Sequence, residues 1–252
     1  MRIILSPAKK MNQDTDSLSY VGMPEYLEET DVILSWLRER TYGELKKLWG
    51  CNDRIAQLNY DRLQKMELRR NLTPAILSYE GIAFQYMAPA VFEEGQLAYV
   101  QEHLRILSGF YGVLRPLDGV APYRLEMQAK AKIAGYDDLY GLWGRRLYES
   151  VRGGDGVIVN LASKEYAKCI EKYLTGEDTY ITCVFGEISE GKVVQKGTYA
   201  KMARGEMVRY MAEHGIENPA DMRKFDRLGY VYSDFYSSQR EYVFLLEKDK
   251  KN

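Results

Sequence analysis

The spacing of apolar residues divides the chain into short buried strands and amphipathic helices. Continuous apolar runs at Arg2–Leu5 and Gly156–Leu161 predict strands that are covered on both faces of a sheet. A helix is predicted over Pro24–Arg40, where acidic residues come early and basic residues late, and another is predicted over residues 53–69. Between them, the capping-box pattern Thr41-x-x-Glu44 predicts the start of a short helix. Together these signals are typical of an α/β fold.

The remainder of the chain carries similar but shorter signals. Further strands are predicted at Ala75–Tyr79, Tyr230–Tyr232 and Tyr242–Leu246, and a hairpin at Thr179–Ile188 and Lys192–Gly197. Further helices are predicted at Phe92–Ser108, Asp137–Val151, Lys164–Leu174 and Thr198–His214. The tail Lys248–Asn252 is expected to fray. Because neither a linker nor a repeat interrupts the pattern, we predict a single domain over residues 1–252, with a central mixed sheet flanked by helices.

Composition excludes several classes of protein. The chain of 252 residues has a net charge of -1, so any anion site must come from local clustering of basic residues. Three widely spaced cysteines without a CxxC motif argue against a disulfide framework and a structural zinc site. The only histidines are His103 and His214, which excludes a His-rich metal site and gives little support to a His-dependent catalytic triad. We therefore expect no bound metal and no cofactor.

Hydropathy predicts a cytoplasmic protein. The apolar run at the start of the chain is too short for a signal peptide. No stretch approaches the roughly 18 apolar residues that would span a bilayer. We expect no membrane partner and favour a monomer, although the sequence leaves the oligomeric state open.

One irregular stretch, Leu104–Met127, places arginines among glycines and prolines. Pro116 follows Arg115, and Pro122 precedes Tyr123 and Arg124, so turns fix the backbone on which these side chains are carried. Arginines held on a scaffold are suited to binding phosphate or carboxylate groups. The alternative is a structural hairpin whose arginines pair with carboxylates of the same chain.

Other basic and polar residues follow the ends of predicted elements. Lys9 lies just beyond the first strand, and Lys201 and Arg204 are i,i+3 neighbours on the helix Thr198–His214. Asn160 and Ser163 lie at the carboxyl end of a strand, where Ser163 is a good N-cap. If these residues meet in one cleft, the site is cationic and implies an anionic ligand, phosphate or nucleic acid. The alternative is a set of independent, salt-bridged surface patches.

Several segments closely resemble the bacterial YaaA family of peroxide stress resistance proteins. The resemblance extends from the first residues to the paired strands near the C-terminus. It is carried by the strings SPAK (Ser6–Lys9), LRILSGFYGVLRPLD (Leu104–Asp118), PYRLEM (Pro122–Met127), LYGLWG (Leu139–Gly144), NLASKEY (Asn160–Tyr166) and YAKMARGEM (Tyr199–Met207).

The resemblance implies a cytosolic, single-domain α/β protein with a positively charged cleft. It also implies DNA binding, a helix-hairpin-helix-like element, and a role in lowering free intracellular iron during hydrogen peroxide stress. By position, that element would consist of His103–Ser108, the Gly109–Gly112 turn and the residues after this turn. One departure from the family pattern is Ile82, which stands where relatives carry an acidic residue; Glu80 could substitute only if the backbone shifts.

The residues leave three hypotheses for the function. In a DNA-binding stress protein, Arg115, Arg124, Lys201 and Arg204 would contact phosphates, Lys9, Asn160 and Ser163 would complete the anion site, and Tyr111 or Tyr123 could stack on an unpaired base. In an enzyme acting on a small phosphorylated or carboxylated substrate, the acid, base and nucleophile candidates are Lys9, Glu126, Tyr166 and Lys201, with Arg124 beside them. Direct iron sequestration has the least support, because its ligands would be carboxylates such as Asp118 or Glu126.

Overall fold

The first strand, β1 (Arg2–Leu5), lies near the middle of an eight-stranded mixed sheet in the computed structural model, which describes residues 1–14, 16 and 18–247. The other strands, in chain order, are β2 (Lys10–Met11), β3 (Thr73–Pro74), β4 (Tyr79–Glu80), β5 (Leu104–Ser108), β6 (Gly112–Leu114), β7 (Gly119–Val120), β8 (Val157–Leu161), β9 (Thr179–Ser189), β10 (Lys192–Val194), β11 (Tyr230–Tyr232) and β12 (Glu241–Leu246). The helices are α1 (Leu27–Arg38), α2 (Tyr42–Trp49), α3 (Asp53–Lys65), α4 (Ala75–Ser78), α5 (Ile82–Met87), α6 (Glu94–His103), α7 (Leu139–Trp143), α8 (Arg146–Arg152), α9 (Lys164–Glu171) and α10 (Gly197–Glu213). Short 3₁₀ turns occupy Pro89–Val91, Pro219–Lys224, Arg227–Gly229 and Asp234–Tyr236.

The strand order of the sheet is β11-β12-β9-β8-β1-β5-β6, with β10 paired to β9. Strand β1 is parallel to both neighbours, so that Leu5 lies beside Leu161 of β8 and Ile106 of β5. The chain therefore places β5 on one side of β1 and later returns to place β8 on the other side. In sheets of this kind, the carboxyl ends of the strands at such a switch point form a natural crevice for a ligand.

Burial explains why β1 and β8 were predictable. Ile3, Ile4 and Leu5 are almost fully buried, as are Ile158 and Val159 of the neighbouring strand. Helices cover both faces of these strands, so their sequences are continuously apolar rather than alternating. The predicted strand over Gly156–Leu161 and the predicted mixed sheet flanked by helices are confirmed.

Several predicted boundaries are also confirmed. Thr41 and Glu44 form the expected capping box at the start of α2. The predicted hairpin is formed by β9 and β10, the last long helix is α10, and β11 pairs antiparallel with β12. The tail predicted to fray, Lys248–Asn252, lies outside the described residues.

Three secondary-structure predictions are wrong, each because tertiary contacts override the local pattern. The predicted strand Ala75–Tyr79 is mostly helix α4, and only Tyr79 enters a two-residue strand. The predicted helix Phe92–Ser108 ends at His103, because residues 104–108 pair with β1 as a fully buried strand. The predicted helix Asp137–Val151 is two helices, interrupted at Gly144, whose φ is +53°.

The segment expected to contain a helix-hairpin-helix-like element is a β-hairpin instead. Strand β5 turns through Gly109–Tyr111 into β6, with Ser108 opposite Gly112. Gly112 has a φ of +75°, and a Cβ there would lie 2.9 Å from the Trp143 ring, so glycine is required on both counts. The turn lies where it was predicted. The residues on either side of it form strands β5 and β6 at one end of the main sheet, and not helices.

Among the described residues, none of the helices combines the length and the apolar character that a membrane span requires.

Candidate functional site

A cavity of about 400 Å³ lies at the carboxyl ends of β1 and β8. Its walls come from the loop after β1, the N-terminus of α9, helix α5, the segment after β7, and one face of α10. Among its lining residues are five basic side chains and three carboxylates: Lys9, Lys10, Arg124, Lys201 and Arg204, and Glu80, Glu126 and Glu165. The cavity is therefore cationic although the whole chain carries a net charge of -1.

Most of the residues predicted for the site meet in this cavity, although they come from separate segments. They are Lys9, Tyr123, Arg124, Glu126, Ser163, Tyr166, Lys201 and Arg204. The alternative of unrelated surface patches does not describe this group, because all eight line one volume. The structure brings together every catalytic candidate and six of the eight anion-binding candidates.

Two predicted anion-binding residues lie elsewhere. Arg115 is exposed at the end of β6, where its backbone N–H donates to Oδ2 of Asp118 at 2.8 Å. Asn160 is buried within β8, where Nδ2 donates to Oγ1 of Thr182 and Oδ1 accepts from the Ala162 N–H. Tyr111 is fully buried, with its hydroxyl donating to the Ala121 carbonyl, so it is not positioned to stack on a base.

Two serines connect the loop after β1 to the beginning of α9. The Ser163 backbone N–H donates to Oγ of Ser6 at 2.8 Å, and Oγ of Ser6 donates to Oγ of Ser163 at 3.2 Å. Ser163 occupies the predicted N-cap position, but its hydroxyl caps no backbone N–H among the described residues. These bonds fix Pro7, Ala8 and Lys9 against the helix.

Glu126 lies between two of the predicted cations. Its Oε2 is 2.8 Å from Nζ of Lys9, and its Oε1 is 3.4 Å from Nη2 of Arg124. On the same side of the cavity, Nζ of Lys10 is 2.5 Å from Oε2 of Glu80. Lysines 9 and 10 are exposed, so each of these pairs contributes little to folding and can exchange its partner.

Lys201 and Arg204 are different, because neither forms an ion pair with any described residue. Nε of Arg204 is buried and has no hydrogen-bond partner in the described part of the chain, and the same is true of Nε of Arg124. Burial lowers the pKa of the Arg204 guanidinium, while the nearby Cys183 thiol has the opposite, smaller influence. A partly desolvated cation without a carboxylate partner is the arrangement that an incoming anion would stabilise.

The acidic side of the cavity includes a residue that sequence reasoning missed. Glu165, at the beginning of α9, accepts a hydrogen bond from the Gln128 N–H at 3.2 Å, and burial raises the pKa of its carboxyl group. Burial also raises the pKa of the Tyr166 hydroxyl far above its usual value, so this phenol remains protonated. No pattern in the sequence marked Glu165, since it occupies a routine acidic position in the first turn of a helix.

Beneath the cavity, Tyr123 belongs to a buried hydroxyl network. Its hydroxyl lies 2.9 Å from that of Tyr79 and 2.6 Å from Oγ of Ser108. Oγ of Ser108 also accepts from the backbone N–H groups of Phe110 and Tyr111. This network ties the floor of the cavity to the β5–β6 hairpin.

The wall formed by α5 contains Ile82, the residue expected from the resemblance to depart from the family pattern. Ile82 lines the cavity and supplies an apolar surface there, while Glu80 is engaged by Lys10. Gly81 packs against Ala8, with room for no more than a hydrogen atom, because a Cβ would lie 2.7 Å from that of Ala8. In the described residues, no group of three or more His, Cys, Asp or Glu side chains is placed to hold a metal ion.

Comparison with known proteins gives matches that cover most of the chain. A sequence profile described as "Peroxide stress protein YaaA" matches residues 1–235. This chain belongs to the YaaA family. Its relatives include a "UPF0246 protein" of Agathobacter rectalis, 60% identical over 244 residues that cover 97% of this chain and 98% of the relative. Another, from Pediococcus pentosaceus, is 54% identical over 245 residues, covering 97% and 98%. The name of the YaaA family supports a role in peroxide stress.

Proposed function

We propose that this YaaA-family protein acts in peroxide stress by binding DNA or another polyanion, with phosphate groups entering the cationic cavity. The role in peroxide stress is supported by the family. The ligand class is supported by the charge of the cavity, whose basic residues exceed its carboxylates by two. We further propose that the protein works in the cytoplasm as a monomer.

One observation carries this proposal: the half-buried Arg204 faces the cavity with a buried Nε that has no hydrogen-bond partner among the described residues, beside the exposed Lys201, which forms no ion pair with any of them. Leaving a desolvated charge without a partner costs several kcal/mol, so folding alone does not favour this arrangement. Arginine binds phosphate through paired N–H donors, and the resulting charge-assisted hydrogen bonds are about twice as strong as neutral ones. Lys201, one helical turn away, adds a second charge on the same face of α10.

Lys9 and Lys10, which are paired with carboxylates, would exchange these partners for phosphate groups when the ligand binds. Lys9 and Lys10 are held by Glu126 and Glu80 without a ligand. A phosphate competes with these carboxylates for exposed ammonium groups, which exchange partners at little cost. Affinity is therefore expected to depend steeply on salt and weakly on base sequence.

The test is fluorescence anisotropy with labelled duplex, bubble and single-stranded DNA across a salt series. The wild-type protein is compared with the double variant Lys201→Ala/Arg204→Ala. Removing two phosphate contacts should lower the slope of log K against log salt by about 1.4 to 1.8. The matched control is Lys172→Ala/Lys192→Ala, which removes two exposed lysines that line neither this cavity nor the larger cleft beside α3.

Either of two results would contradict the proposal. One is the absence of binding at low salt by a wild-type protein whose circular dichroism shows it to be folded. The other is a salt slope that falls equally in the cavity variant and in the control, which would indicate non-specific attraction to the whole surface.

We also propose that the protein limits free intracellular iron and oxidative damage through this ligand rather than as an iron store. Chelatable iron can be measured by electron paramagnetic resonance in peroxide-treated cells that lack the gene and carry a plasmid copy. The wild-type copy and the control variant should lower the signal, and Lys201→Ala/Arg204→Ala should not. If all three copies lowered the iron signal equally, the effect on iron would not depend on Lys201 and Arg204 of the cavity.

A second candidate function is an enzyme that acts on a small phosphorylated or carboxylated substrate. It is favoured by the volume of the cavity, about 400 Å³, which is the size of a small-molecule site. Lys9, Arg124 and Lys201 would bind the anionic group, and Glu126 or the Glu165 carboxyl would act as acid or base, with the Tyr166 hydroxyl as a hydrogen-bond donor. This function predicts saturable binding of small anions with weak salt dependence, measurable by isothermal titration calorimetry.

A further inference from the structure

A second cleft, larger than the cavity, lies beside helix α3 and is lined by three basic and two acidic side chains. Its volume is about 460 Å³. Arg62, Lys65 and Arg70 line it, and none of the three forms an ion pair in the described part of the structure. Asp61 and Glu67 line it as well, but Asp61 instead accepts a hydrogen bond from Gln57.

Arg62 is the most firmly placed of these cations. Its Nη1 donates to the Met11 carbonyl at 3.2 Å, which directs the guanidinium towards the cleft floor and the β2–β4 pair. Burial lowers the pKa of the Arg62 guanidinium, and Glu80 partly offsets this. Lys65 and Arg70 are exposed at the cleft rim.

The cleft and the cavity share their dividing wall. Three consecutive residues cross it: Lys9 contacts Glu126 in the cavity, Lys10 contacts Glu80 on the ridge, and the Met11 carbonyl accepts from Arg62 in the cleft. A second segment crosses in parallel, since Ala121 and Pro122 line the cleft and residues 123–126 line the cavity.

We propose that the α3 cleft is a second phosphate subsite, so that one nucleic-acid strand contacts Lys201 and Arg204 in the cavity, passes over the ridge at Lys10, and reaches Lys65 and Arg70. This inference rests on the proposed function and specifies its ligand as a strand long enough to span both sites. A groove of cations that follows a backbone is how proteins bind single strands without sequence preference. A small anion needs only the cavity.

Binding of a short strand and of a long strand distinguishes the two sites, because only the long strand reaches both the cavity and the α3 cleft. The probes are a labelled thymidine trinucleotide and an oligothymidylate of about 20 nucleotides, a length that exceeds the sites of about 4–16 nucleotides found in single-strand binding folds. The proteins are the wild type, Lys65→Ala/Arg70→Ala, Lys201→Ala/Arg204→Ala, and the control Lys172→Ala/Lys192→Ala. Since Lys65 and Arg70 are exposed, their removal should leave the unfolding midpoint unchanged, and Lys65→Gln/Arg70→Gln repeats the test if it does not.

For the long strand, Lys65→Ala/Arg70→Ala should lower the salt slope by about 1.4, at about 0.7 for each lost single-strand phosphate contact. The same variant should bind the trinucleotide as the wild type does, whereas the cavity variant should lose both ligands. Equal slopes for the cleft variant and the control on the long strand would overturn the cleft subsite. If the cavity variant still lost affinity in that case, the proposed function would stand. Failure of the wild type to bind either probe would overturn the proposed function and the subsite together.

Discussion

Ala83 and Gly205 lie in direct backbone contact between α5 and α10, since a Cβ on Gly205 would lie only 1.9 Å from the Ala83 carbonyl oxygen. No side chain fits between these two helices at this point. The contact sets the distance between the wall that carries Ile82 and the helix face that carries Lys201 and Arg204. The width of the cavity therefore depends on the absence of one methyl group.

Gly205→Ala should destabilise the protein, because the methyl group forces α5 and α10 apart. Overpacking of this kind costs about 1–3 kcal/mol. Urea denaturation followed by circular dichroism measures the loss. Gly197→Ala on the same helix is the control, because its Cβ would meet nothing within 4 Å, and it should change stability by less than about 0.5 kcal/mol. Similar values for the two variants would show that α5 can move away freely.

Replacing Tyr123 should cost more stability than replacing Tyr79. The Tyr123 hydroxyl bonds to both Tyr79 and Ser108, so Tyr123→Phe leaves two buried groups with one partner fewer, at a cost of about 1–3 kcal/mol. Tyr79→Phe leaves the Tyr123–Ser108 bond intact and should cost about 0.5–1.5 kcal/mol. Denaturation of both single variants and the double variant checks the order and the coupling between the hydroxyls. A larger loss of stability for Tyr79→Phe than for Tyr123→Phe would show that the Tyr79 hydroxyl contributes more to the network.

The buried Asp118 should make the protein less stable as the pH rises from about 4 to about 6. Burial raises the pKa of this carboxyl group to about 6, against the hydrogen bond and charge of Arg115 and the charge of Arg105. Because the folded state holds the proton more tightly than the unfolded state, the favourable contribution is complete below about pH 4 and is lost as the pH passes 6. A rise of the Asp118 pKa from 3.8 to about 6 corresponds to roughly 3 kcal/mol of stability.

Asp118→Asn isolates this contribution, since the amide oxygen can still accept from the Arg115 N–H. The difference in unfolding free energy between the wild type and the variant should move in favour of the variant between pH 4 and 6. The other carboxyl groups titrate in both proteins, so their contributions cancel in this difference of unfolding free energies. Parallel stability curves over this interval would mean that the pKa of Asp118 is unshifted.

Glu126→Gln distinguishes the two candidate functions. If the cavity binds a polyanion, losing this carboxylate frees Lys9 and Arg124 and should tighten DNA binding, by roughly 1 kcal/mol or about fivefold. If Glu126 is a catalytic acid or base, the same change should abolish turnover. Glu177→Gln is the control, because Glu177 is an exposed partner of Arg152 that lines neither cavity. Weaker DNA binding by Glu126→Gln would contradict the polyanion proposal.

Several of the residues that line the cavity carry a local signal in the sequence. Lys9, Arg124, Lys201 and Arg204 were recognisable because turns or helical spacing constrain each of them locally. Arg115 carries the same local signal beside Pro116 and yet points elsewhere, since its direction depends on the antiparallel pairing of β6 with β5. A local pattern indicates that the backbone of a residue is fixed, but the direction in which its side chain points depends on the topology of the sheet.

Gly81 and Glu165 carry no local signal in the sequence. They belong to the site only because α5 packs on α10 and α9 begins beside the loop after β1. The strand β5 was concealed for the same reason, because its sequence LRILS continues an apolar helical pattern and becomes a strand only by pairing with β1. Arg62 and Lys65 lie in the predicted helix over residues 53–69, and no local pattern marks them or Arg70 as part of a binding site.

The position of β1 also determines the order in which the protein can assemble during synthesis. This strand is synthesised well before its two partners, β5 and β8, which end at Ser108 and Leu161. Until Ser108 is made, the apolar residues Ile3, Ile4 and Leu5 lack both neighbouring strands, and until Leu161 is made they lack one. Such non-local pairing is slow and prone to aggregation. A nascent chain arrested before Leu161 should therefore be an aggregating species and a substrate for chaperones, whatever the stability of the finished fold.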